Sequence, residues 1–246
     1  MIDTAAPAAP ACTVEDELRA DLAQGDAFLG TVTPILRHLV ASNEHSVFGD
    51  EIVARTRGML AHVAAQLLDA VTVASGETER VAHPEREIEA LVAAFTEDEH
   101  LLAHVHSLAM EWQLTERLSA RLGVDPVLSP LMQALIAATE PGHAGLAMAL
   151  MAAQARFTQT QRRMELPLTE LPGDVLHAAL QVLGGDASPE RAEHLRAAAQ
   201  AVRGLHDEAR SRIGLMARLI SGLGGGASAA LAISHAGVAM FVTALS

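Results

Sequence analysis

DEIVARTRGMLAHVAAQLLDAVTV, residues 50–73, repeats its apolar side chains with the pitch of an α-helix. At about 100° per residue, Ile52, Met59, Leu60, Val63, Leu67 and Val71 share one inward-facing stripe. Asp50 and Glu51 stand in the first turn, where a helix N-terminus favours negative charge. The same period continues along almost the whole chain from Thr13, and no stretch shows the β-branched or aromatic alternation of a strand. The reading is all-α: an irregular multi-helix bundle of about ten helices.

Composition supports that reading and narrows the chemistry. Of 246 residues, 50% are hydrophobic but only 2% aromatic, with no Tyr, so Ala, Leu, Val and Met must fill the interior. Small side chains of that kind suit closely approaching helices. Net charge is −13 and all 17 basic residues are Arg. An acidic surface repels phosphate backbones, which argues against nucleic-acid binding. The Arg-only bias is compositional, as in a GC-rich bacterial genome. Cys12 is the one cysteine, so intrachain disulfides and Cys-rich metal sites are excluded. MIDTAAPAAPAC (1–12) has neither the basic nor the apolar region of a secretory signal and reads as a disordered arm, so a cytoplasmic location is expected.

Working outward from 50–73, Thr13 can cap a first helix carrying Glu15, Asp16, Glu17, Leu18 and Leu22, which Gly25 and Asp26 are expected to end. A second segment follows through Phe28, Val32, Ile35, Leu36 and Leu39, interrupted at Pro34. SNEHSVFGDE and SGETE read as connectors on either side of 50–73. His83-Pro84 opens a helix that carries Ile88, Leu91, Val92 and Phe95, and the helical pattern continues to Leu122, with Gly123 as its C-cap. GVDPVLSP (123–130) is the best boundary, giving a helical domain over 13–246 with two possible subdomains, 13–123 and 124–246.

Beyond it come a short helix to Thr139, one from about His143 to Glu165, and one near 174–183. TELPGDVL, within 166–180, resembles the opening of an F-box helix, a segment that binds adaptor proteins. That likeness rests on a Pro-started helix alone and no function is drawn from it. One long helix is expected over 189–222, capped at Ser188-Pro189. On it Leu195, Val202, Ala209, Met216 and Leu223 recur every seven residues, with Ala198, Leu205 and Leu219 three later. Arg212 and Gly214 interrupt this seam. Arg196, Arg203 and Arg210 flank it, where they could pair with acids on a partner.

GLGGGA (222–227) fits a dinucleotide-binding glycine string but follows a helix rather than a strand, so a flexible hinge is expected. An apolar helix is expected over 227–245. Ser228, Ser234, His235 and Thr243 dilute it, so a core helix is favoured over a membrane tail.

FTEDEHLLAHVHSLAMEW (95–112) holds the strongest candidate for chemistry. Glu97 and His100 form a Glu-x-x-His pair, His104 lies one turn on, and Glu111 extends the same polar edge. These are the residue types and spacing of carboxylate-bridged di-metal bundles, and His62 on 50–73 offers a further ligand, along with Glu51 and Asp69. Against that, Thr96 and Glu99 can form a capping box, the acids suit a helix start, and no second Glu-x-x-His exists. No nucleophile elbow or acidic catalytic pair is present, and no cofactor is implied. The favoured function is a helical interaction or regulatory protein without catalysis, acting on a protein partner or on itself. The alternative is a metal- or small-molecule-binding bundle centred on 97–122.

Overall fold

A computed structural model describes residues 14–41, 50–76, 83–139, 141–185 and 189–245. The expected arm 1–12 with Cys12, the Thr13 cap, most of SNEHSVFGDE, the end of SGETE and the Ser188 cap lie outside these residues. Among the described residues the chain is all-α, with eleven α-helices, three 3₁₀ turns and no strand.

The amphipathic segment that anchors the reading becomes α2, Asp50–Ala74, with Met59, Leu60, Val63 and Leu67 fully buried. α1 spans Val14–Ala41 and does not break at Gly25; one interior glycine costs a helix only about 1 kcal/mol. The helical pattern from Pro84 to Leu122 forms two helices, α3 (Glu85–Glu97) and α4 (Glu99–Leu122). Asp98 divides them, its extended backbone leaving α3 and its carboxylate accepting the Leu101 N–H at 2.9 Å. The cap is therefore Asp98 and not Thr96, which is buried and donates its hydroxyl to the Ala93 carbonyl at 2.7 Å. Gly123 ends α4 in the left-handed conformation, φ 67°, as its sequence position implied.

α5 (Pro130–Ile136), capped by Ser129, leads into α6 (Pro141–Arg162), then α7 (Gly173–Leu183) and α8 (Pro189–Leu205). The expected long helix over 189–222 is split here. After Leu205 the chain turns through a 3₁₀ segment at 208–210 and restarts as α9, Arg212–Leu223, capped by the Ser211 hydroxyl. His206 fixes the turn by donating its Nε2 proton to the Leu171 carbonyl at 2.8 Å. Leu205, a seam position in the heptad reading, is consequently 81% exposed.

Gly214 makes the turn possible. A β-carbon there would stand 2.1 Å from the Glu208 carbonyl oxygen, which belongs to backbone and cannot swing aside. Gly214→Ala is expected to cost about 1–3 kcal/mol, as overpacking typically does, and to lower the midpoint of a urea melt without changing its slope.

The glycines after α9 form no free hinge among the described residues; Gly224–Leu231 is a 3₁₀ helix. The expected helix over 227–245 is likewise divided, into α10 (Ile233–Ala236) and α11 (Val238–Leu245), because Gly237 sits at φ 80° between them. No helix among the described residues is long and apolar enough to cross a membrane.

The interior has two apolar clusters. The first joins Leu36 and Val40 of α1 to α2, α3, α4 and α7, with Phe157, Leu166 and Leu171. The second joins α5, α6 and α9 to α10 and α11. α8 lays Leu195 and Ala198 down on α2. α6 runs through both clusters, contributing Leu150 and Ala153 to the second and Phe157 to the first. Between those positions, and opposite Glu111 and Trp112 of α4, lies a polar seam.

Candidate functional site

The seam is built around Arg212, which is 1% exposed. As the first residue of α9 it is aimed inward by the 206–211 turn. Its guanidinium forks onto Glu111 of α4, Nη1 to Oε1 at 2.6 Å and Nη2 to Oε2 at 2.9 Å. This planar two-bond match is specific to arginine. Nη1 also donates to Gln154 Oε1 at 3.3 Å, and the Phe157 ring covers the cation with Cζ 3.7 Å from its centroid. The Arg212 amide, one of the donors a helix start leaves unpaired, is taken by Glu170 Oε2 at 3.1 Å. Burial pushes the Glu170 carboxyl up from its ordinary range, opposed by the Arg212 amide and by the Arg212 and Arg156 charges.

A second buried cation sits nearby. Arg55 of α2 is 6% exposed and lies over the Trp112 ring, 5.0 Å from its centroid. It donates to the Gln161 carbonyl and to Glu51 Oε1, the latter at 3.0 Å. Gln161, wholly buried, donates onward to Met59 Sδ at 3.3 Å and to the Glu165 carbonyl at 3.2 Å. Each buried arginine thus has one carboxylate and one aromatic face, the two conditions that make burying a cation tolerable.

Sequence-predicted ligands are spread among unrelated tasks. Glu97 ends α3, exposed, 3.9 Å from Arg37 Nη1. His100 is exposed on the first turn of α4. His62 accepts the Leu166 N–H at Nδ1, 3.1 Å away, while Gln66 donates to the Leu166 carbonyl at 2.9 Å and accepts from Leu168 at 3.1 Å. Together these two side chains hold the extended segment after α6 against α2. Glu51 serves Arg55, and Asp69 meets His83 Nε2 at 2.9 Å. Glu111 is bound to Arg212. The proposed set Glu97, His100, His104, His62 and Glu111 is therefore not brought together, and among the described residues no three His, Cys, Asp or Glu side chains group to hold a metal ion.

His104 is the one member left with a buried polar atom unpaired. Its Nε2 is buried without a hydrogen-bond partner, as are Arg212 Nε and Trp112 Nε1. Burial, and then the Arg212 charge, lower its pKa to about 4 against the pull of Asp174 and Glu111. It is held as neutral imidazole near neutral pH.

Chemically, the seam is a hydrogen-bonded clamp between the two apolar clusters, with each buried arginine matched by a glutamate. A cavity of about 30 Å³ beside Gln154, Thr115 and Met216 has room for about one water. Sequence reasoning met Arg212 only as an interruption of a heptad and did not single out Arg55, Gln154, Gln161 or Glu170. The available signal was a charged residue on an apolar face, since Arg55 shares the arc of Ile52 and Met59. Comparison with known proteins gives no match to a family model, a curated protein or a solved structure.

Proposed function

We propose that this chain is an interaction protein working through helix–helix contacts, with the projecting half of α1 as its reaching element. The observation that carries this reading is the exposure of every residue from 18 to 27, while Leu36 and Val40, among the described side chains of α1, lie in the core. Ten residues of helix reach about 15 Å. They present Leu18 and Leu22, 37% and 43% exposed, one turn apart on the same face. Burying each would gain about 1.5–3 kcal/mol, which is what a helix-in-groove contact uses. Arg55, Arg212, Glu111 and His62 are each engaged in holding the fold together.

A photo-crosslinking residue placed at Leu22, with exposed Glu116 of α4 as the control position, tests this in living cells. The expected result is a discrete protein adduct from position 22 and none from 116. A chain that gives no adduct at position 22 is not docking through α1.

A further inference from the structure

We infer that the receiving surface is the groove between α7 and α8, and that its occupant is the projecting half of α1 from a second copy of this chain. The inference rests on the helix-docking reading above and adds the partner and the surface.

The groove has a volume of about 360 Å³, far more than the roughly 30 Å³ share of one water. Leu180 and Leu183 of α7 and Leu195 and Ala199 of α8 line its floor, while Arg196 and Arg203 stand exposed along the α8 rim. Seven residues separate the two arginines, so they stand on one side of α8 about 10.5 Å apart. Neither has a carboxylate partner among the described residues. A groove of this kind asks for a helix with an apolar ridge and acidic flanks.

The first half of α1 has that pattern. At 100° per residue, Leu18, Leu22 and Gly25 form the ridge, Asp21 lies on one flank, and Asp26 lies on the other with Arg19 just outside it. The Asp21 flank carries no basic residue and is the side offered to the arginine rim. Gly25 removes side-chain bulk from the ridge and lets the helix lie close. The chain as a whole is strongly acidic, with net charge −13, so a cationic rim is a place where a second copy's acids meet attraction rather than repulsion.

The test uses the full chain and its molar mass by analytical ultracentrifugation over a range of concentrations. Three forms are compared: the parent, the reversal Arg196→Glu with Arg203→Glu, and the swap that adds Asp21→Arg and Asp26→Arg to that reversal. The expected result is self-association of the parent, weakened about tenfold or more by the reversal and restored by the swap. Circular dichroism melts of all three should coincide, since every altered side chain is exposed. A parent that stays at the 25.8 kDa monomer mass at all concentrations overturns the inference. So does association indifferent to the reversal, or lost on reversal and not regained in the swap. A monomeric chain that still gives a position-22 adduct with a different protein would overturn the self-docking while leaving the helix-docking reading standing.

Discussion

Arg212→Met is expected to lower the unfolding free energy by about 3–5 kcal/mol, the range seen when one member of a buried ion pair is removed. The reason is what remains behind. Glu111, whose side chain is 16% exposed, would keep its charge in the buried seam with the forked donor gone. Methionine fills much of the same length and can lie against Phe157, so the loss measures charge rather than a cavity. Adding Glu111→Leu should return most of the lost stability, because an apolar pair of similar volume often replaces a buried ion pair at little cost. Arg212→Lys should sit in between, having neither the two-pronged geometry nor the flat face that stacks on the ring. Urea unfolding of the four proteins gives the comparison. Equal stabilities for Arg212→Met alone and for the double variant would contradict a neutralising role for Glu111.

Acid should loosen the same seam through His104. Its folded pKa of about 4 lies below the ordinary value of 6.5, so the unfolded chain binds the proton more readily than the folded one. Stability from this group is therefore complete above about pH 6.5 and drains away as pH falls to about 4. The difference is worth about 3 kcal/mol at most. Glu170 runs the other way: its carboxyl is raised in the fold, so the folded chain holds that proton longer and gains relative stability as pH falls towards the ordinary carboxyl range. His104→Leu removes the first effect and leaves the second, and it also removes an unpaired buried nitrogen. Denaturation midpoints measured from pH 7 to pH 4 should fall more steeply for the parent than for His104→Leu. Parallel curves would show that the imidazole titrates as it does in water.

Helices whose faces are set by their own periodicity were legible: 50–73 corresponds to α2, and Gly123 caps α4 at its expected place. What could not be read were breaks decided by distant contacts. The 206–211 turn exists because His206 meets Leu171 and Arg212 meets Glu111, partners 35 and 101 residues away. Heptad spacing cannot register such pairings. The site followed the same rule. His104 and Glu111 were singled out for their residue types, and both do lie in an unusual environment. The charges they meet are Arg212 of α9 and, for His104, Asp174 of α7 rather than a matching metal-ligand helix.

Trp112 lies beneath Arg55, 6% exposed, in a chain with one Trp and no Tyr. Ultraviolet emission from this protein thus originates almost wholly at the contact between its two interiors. A spectrum of the native chain should be blue-shifted, and it should move to the red when that contact parts, whether or not the helices on either side have melted. Far-ultraviolet dichroism, in contrast, averages over every helix. Recorded together in one titration, the two signals would separate parting of the halves from loss of the helices themselves.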